Sequence, residues 1–162
     1  MSDGEVAHPH WTYAQLNTVQ RAYFAGWPME LYCEFEGIKA IFQHHTIDEL
    51  RRNYKPIPRL PTAEGLDGLF AGESELVFYG YVHRFSDFAG RRRFVNPGSL
   101  GCQREALARY TIVEFKSGSV DITHHWAAYD DCELFETFER RDVPERIFIY
   151  QTFFGGRFGA TS

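Results

Sequence analysis

Two histidines stand where chemistry is commonly mounted. His44 follows the apolar run at residues 38–43, and His83 follows Leu76-Val77-Phe78-Tyr79-Gly80 by three positions. A strand that stops at Gly80 presents its next side chains at a sheet edge, and strand ends are where ligands gather in layered α/β proteins. A neutral imidazole is a good ligand for borderline transition metals. Tyr81 stands two residues before His83, where a second imidazole would fit. A phenol with an ordinary pKa near 10 is a much poorer ligand at pH 7. Two histidines alone do not make a metal site, and a lone strand-end histidine is more often a hydrogen-bonded structural residue.

The other reactive side chains have quieter readings. His8 and His10 flank Pro9 near the start of the chain and read as solvated residues. His124 and His125 are neighbours on a strand, so they face opposite sides and do not share one site. Asp130 and Asp131 read as caps of a last helix. Cys33, Cys102 and Cys132 are widely spaced and odd in number, which fits reduced, mostly buried thiols better than disulfides or a zinc knuckle. Arg91, Arg92 and Arg93 form the one basic cluster and read as a solvated hairpin.

The elements that must position these residues follow from turn and capping chemistry. Thr12-Tyr13-Ala14-Gln15 reads as a capping box, opening a helix that Gly26 and Pro28 stop. Residues 29–35 and 38–43 read as strands joined by Glu36-Gly37, a two-residue turn in which glycine accepts positive φ. Thr46-Ile47-Asp48-Glu49 reads as another capping box, predicting a short helix through Tyr54. Three prolines at residues 55–61 predict an extended loop, and Thr62 caps a helix to about Phe70. Strands at 76–79 and 93–95 follow, separated by a polar link around Ser86-Asp87. Residues 110–115 and 119–126 flank Lys116-Ser117-Gly118 as a hairpin, and residues 129–140 and 144–153 read as helices around Val143-Pro144.

Bulk properties bound the function. At 162 residues the chain is long enough for one domain, 1–162, with a real core, and 17% aromatic residues supply the area to fill it. A net charge of -5 argues against a general nucleic-acid binder, which needs a basic face. No apolar stretch reaches the roughly 20 residues of a membrane span, and the first ten residues lack a signal-peptide core. The expectation is a cytoplasmic protein.

The order of features is more specific than any one of them. His44, then Gly80-Tyr81-Val82-His83, then Asn96-Pro97-Gly98-Ser99-Leu100-Gly101, then Tyr110 in a strand and Tyr129-Asp130 before a terminal helix resembles the C-terminal half of the calcineurin-like metallophosphoesterases. The likeness is to their small bacterial and archaeal branch of phosphoesterases and phosphodiesterases, and it runs from about Trp11 to Gly156. It implies an α/β fold, a four-layer αββα sandwich with two mixed sheets covered by helices, to which this chain supplies mainly the C-terminal half. It also implies a two-metal centre of manganese, iron, zinc or nickel, in which a metal-bound hydroxide hydrolyses a phosphomonoester or phosphodiester. His44 matches a ligand of the second metal and His83 the last histidine of the family's Gly-His-x-His, a ligand of the first. Asn96-Pro97-Gly98-Ser99 matches a turn that braces the sheet edge.

The departures are equally informative. Tyr81 replaces the first histidine of Gly-His-x-His, and His45 replaces the usual glycine after the ligand histidine. The family's Asp-x-His, Gly-Asp and Gly-Asn-His-Asp motifs are not in the chain, which begins just after the last of them on this resemblance. They carry the catalytic histidine and most first-metal ligands. The expectation is therefore a metal-dependent phosphoesterase-like protein that holds its metals incompletely and is impaired or inactive alone, with no catalytic residue of its own. Its partner is a phosphate-ester small molecule or another protein chain, a second copy included. The alternative is a non-catalytic protein-binding scaffold with a degenerate metal site.

Overall fold

The computed structural model describes residues 3–48, 53–70 and 72–157. Along the chain the elements are α1 (Asp3–Ala14), α2 (Thr18–Ala25), β1 (Glu30–Phe35), β2 (Ile38–Gln43), β3 (Ile47–Asp48), β4 (Asn53–Tyr54), α3 (Ala63–Leu69), β5 (Leu76–Tyr79), β6 (Ser86–Ala89), β7 (Arg93–Asn96), β8 (Leu107–Lys116), β9 (Ser119–Ala128), α4 (Cys132–Arg140) and α5 (Arg146–Phe153). They form a mixed α/β protein with five helices among the described residues. The chain divides into two units. One is residues 28–101 with 108–127; the other is residues 1–27, 102–107 and 128–162.

The first unit is built on a five-stranded mixed sheet of order β1-β2-β5-β7-β6. β1 and β2 are antiparallel, β2, β5 and β7 run parallel, and β6 returns antiparallel to β7. The β1–β2 turn has Glu36 at φ 51° and Gly37 at φ 83°, the doubly left-handed geometry whose twist suits a two-residue hairpin. Ser117 and Gly118 repeat it at φ 49° and 78° between β8 and β9. One sheet face packs Ile41, Val77, Tyr79 and Phe94 against Leu66 and Phe70 of the α3 segment and Ile57 of the proline loop. The other packs Ala40, Leu76 and Val95 against Val113, Phe115, Val120 and Ile122 of the β8–β9 hairpin. β2, β5 and β7 thus carry apolar residues on both faces, as the central strands of a covered sheet should.

Two ionic knots pin this unit. Arg92 is 5% exposed. Its guanidinium meets the Asp67 carboxylate at 2.7 Å and donates to the carbonyls of Asp67, Phe70 and Gly72 at the end of α3. Arg93 forks onto Asp87 at 2.9 and 2.8 Å. The expectation of a solvated arginine hairpin holds only for Arg91, which is exposed although paired with Asp67. The other two are drawn in because Asp67 and Asp87 wait beside them.

The second unit centres on Tyr150, Val143 and Phe154, with Phe135 and Phe138 packed edge-on against Tyr150 at 5.3 and 5.6 Å. Arg157 pairs with Asp131 at 2.7 Å. Asp131 occupies the N-cap of α4 without capping it, and Asp130 instead accepts from Cys132 N–H at 2.9 Å.

Five expectations need correction. The helix predicted at residues 12–26 is two helices: Asn17 and Gln20 form the capping box of α2, while Thr12 lies inside α1. The helix predicted from Thr46 is instead the β3–β4 pair, Ile47 opposite Tyr54, with Glu49 outside the described residues. The polar link around Ser86-Asp87 is strand β6, whose polar side chains are satisfied by Tyr79, Arg93 and His124. His8 is half-buried against the Pro144 carbonyl at 3.3 Å, and Cys132 is exposed rather than buried.

Candidate functional site

The strand ends of β2 and β5 bring His44 and Gly80 together. Gly80 N–H donates to the His44 carbonyl at 3.1 Å, extending the parallel ladder one step past β5. The His44 ring lies over Gly80 so closely that a Cβ there would stand 2.5 Å from Nδ1 and 2.9 Å from Cε1. Glycine is therefore a requirement of close approach at this position, since no positive φ is involved. Burial, then the neighbouring His45 and His83, push the His44 imidazole below its ordinary value of 6.5. His44 and His83 are thus near enough to sense one another, and His44 is biased toward the neutral form that ligates metals.

Asn96 braces the segment that carries His83. Its side chain is 1% exposed. Nδ2 donates to the carbonyls of Val82 and Gly80 at 2.7 and 3.3 Å, and Oδ1 accepts from Gly98 N–H at 2.8 Å. Gly98 sits at φ 87°, where a Cβ would meet Arg109 Cδ at 3.0 Å and the His83 carbonyl at 3.5 Å. The Asn-Pro-Gly-Ser turn is structural, as read from the sequence. A cavity of about 670 Å³ opens beside His44, with Phe42, Phe78, Arg109 and Tyr110 in its wall.

Tyr81 takes a different course. Its φ is 66°, a left-handed conformation that side chains larger than Asn seldom adopt. There its hydroxyl is hydrogen-bonded to Tyr54, and that bond followed by burial raises the phenol pKa. The two rings lie 5.3 Å apart, and His45 packs on Tyr54 at 5.4 Å and on Tyr81 at 6.5 Å. His45 Nδ1 is buried without a hydrogen-bond partner. Tyr54 could not be found by motif: only the β3–β4 pairing in place of a helix brings it to Tyr81.

The residues present do not fit a two-metal centre on their own. Among the described residues no group of three or more His, Cys, Asp or Glu is placed to hold an ion. Tyr81, a further candidate ligand beside the histidines, is committed to Tyr54 and held away from the phenolate form. Elsewhere His124 links Thr111 at 3.0 Å to Asp87 at 2.8 Å, while His125 stacks on Tyr110, confirming that the two face opposite sides.

No protein-family model matches the chain, and no curated protein matches it by sequence. Solved structures do. A hypothetical protein from Pyrococcus horikoshii OT3 superposes with a TM-score of 0.72 at 15% identity, over 95% of this chain and 61% of its own. The chain therefore spans less than two thirds of that neighbour. A metallophosphoesterase from Sphaerobacter thermophilus superposes with a TM-score of 0.63 at 18% identity, over 90% of this chain and 68% of its own. The fold of this chain is phosphoesterase-like.

Proposed function

We propose that this chain is a metallophosphoesterase-like protein, corresponding to the C-terminal part of a four-layer αββα fold, that acts on phosphomonoesters or phosphodiesters only weakly by itself. The observation that carries this reading is the pair His44 and His83 at the ends of adjoining chain segments, braced by Asn96, in a fold similar to a metallophosphoesterase. His44 and His83 are the residues that would contribute to a divalent transition-metal centre of manganese, iron, zinc or nickel. Two imidazoles are half a centre or less, so further ligands must come from outside the described residues or from another chain.

The test is hydrolysis of nitrophenyl phosphate and bis-nitrophenyl phosphate with manganese, run beside a His83→Ala control. Slow turnover that exceeds the control supports the reading. Equal rates for the two proteins would remove it and leave the second reading, a protein-binding scaffold of the same fold. The Tyr54–Tyr81 hydrogen bond favours that second reading, because it fills the position of a family ligand with a pair of tyrosines engaged to each other.

A further inference from the structure

β1 is an edge strand guarded only by the charges of Glu30 and Glu34. It contains no proline or lysine, and five of its six residues are exposed. Leu31 is 53% exposed, Tyr32 64% and Phe35 38%, with Met29 just before them at 60%. The two-residue turn closes on the Phe35–Ile38 pair, so Phe35, Cys33 and Leu31 exchange hydrogen bonds with β2. Glu30, Tyr32 and Glu34 consequently turn their backbone N–H and C=O groups outward. Such a row templates pairing with another strand.

We infer that two copies of this chain pair antiparallel through β1, joining their five-stranded sheets into one across a two-fold axis. The charges select the register. A two-fold centred on Tyr32 sets Glu30 against the partner's Glu34, and one centred on Glu34 sets two carboxylates face to face; like charges directly opposite are destabilising. A two-fold centred on Leu31 overlaps only three residues. The axis through Cys33 keeps like charges out of the paired strands and leaves Glu30 near only the partner's turn residue Glu36, beyond the end of β1. It sets Tyr32 opposite the partner's Glu34, where a hydroxyl meets a carboxylate, and Leu31 opposite the partner's Phe35.

The same register extends an existing apolar face. Leu31 and Phe35 lie on the sheet face of Phe42 and Ala40, where Phe35 already packs at a tilt on Phe115 at 4.6 Å and Phe42 stacks on Phe78 at 4.6 Å. Each Leu31 gains a phenyl ring beside it on that face. The pairing is isologous and closes on itself, so it yields a dimer and not a filament. It is independent of any phosphoesterase activity.

Cys33 makes the register testable, because it falls on the axis in a non-hydrogen-bonded pair. Cα atoms in such pairs are about 4.5 Å apart, within reach of a disulfide. In a Cys102→Ser, Cys132→Ser background, diamide should join two Cys33 thiols, which surrender two protons and two electrons to the diazene. Light scattering should read twice the 18.8 kDa chain mass, and denaturing gels should show the covalent dimer. Tyr32→Pro removes an outward N–H and leaves the β1–β2 ladder intact, so it should halve the mass and abolish the cross-link with unchanged circular dichroism. Should that variant fail to fold, Leu31→Lys sets a charge against the partner's Phe35 and should give the same result. A wild-type monomer over the whole accessible concentration range would overturn the inference. So would a dimer that survives both substitutions, or one in which Cys33 does not cross-link.

Discussion

Asn96 is the residue on which the site geometry depends most. It is one buried amide serving two carbonyls and an N–H, and it ties the end of β7 to the segment from Gly80 to Val82. Asn96→Ala leaves the Val82 carbonyl and the Gly98 N–H buried without partners, which costs about 2–3 kcal/mol. Denaturant unfolding should show that loss as a lowered midpoint at unchanged slope. The His44 and His83 ring resonances should also shift, since the turn no longer holds their backbone. Gly80 makes a different demand. Gly80→Ala drives a methyl to 2.5 Å from His44 Nδ1, so the ring must rotate away. The expected cost of such overpacking is about 1–2 kcal/mol. An unmoved His44 resonance in Gly80→Ala would contradict the packing described here.

At the scale of elements, the β8–β9 hairpin depends on β6 for one polar anchor. Asp87 accepts from Arg93 on β7 and from His124 Nε2–H on β9, and Thr111 lies on the far side of that imidazole. The Arg93 bond, with His124 adding to it, holds the Asp87 carboxyl below its ordinary 3.8. A carboxyl depressed in the folded state contributes stability above its unfolded pKa and loses it as pH falls through the folded value. Wild-type protein should therefore lose stability on acidification below about pH 4. Asp87→Asn should be less stable at neutral pH by about 1–3 kcal/mol and should show a flatter acid limb. Parallel acid limbs for the two proteins would show that this anchor carries nothing.

The same elements mark where the sequence was legible. The hairpins at Glu36-Gly37 and Ser117-Gly118 could be read because left-handed turns need particular residues. The cap at Thr62 could be read because its hydroxyl serves a local N–H, that of Gly65. At Thr46 the same local pattern misled, because Ile47 pairs with Tyr54 across a segment that no local rule anticipates. Strand β6 was invisible for a related reason: its polar side chains are paid for by residues far along the chain, Arg93 and His124 among them. His44, His83 and Asn96 were legible as a constellation in order and spacing. The Tyr54–Tyr81 pair was not, since it arises only in three dimensions.

For the molecule as a whole, the decisive quantity is how tightly it holds a metal. An ion that binds only the folded state stabilises it by RT ln(1 + [L]/Kd), about 2.7 kcal/mol at a hundredfold excess over Kd. A complete two-metal centre would therefore report itself as a large rise in melting temperature with manganese or zinc. This chain offers His44 and His83 and no described third ligand, while Tyr81 is bonded to Tyr54 and biased against ionisation. Added metal should accordingly shift the melting temperature little, and elemental analysis after dialysis should find well under two ions per chain. Tyr81→His places an imidazole two residues before His83 and frees Tyr54. It should increase the metal-dependent shift, and His83→Ala in that background should remove the increase. If wild-type protein already retains two ions per chain, the half-centre reading is wrong and ligands beyond the described residues complete the site. If Tyr81→His gains nothing, the tyrosine pair is a structural feature of the edge and does not stand in for a lost ligand.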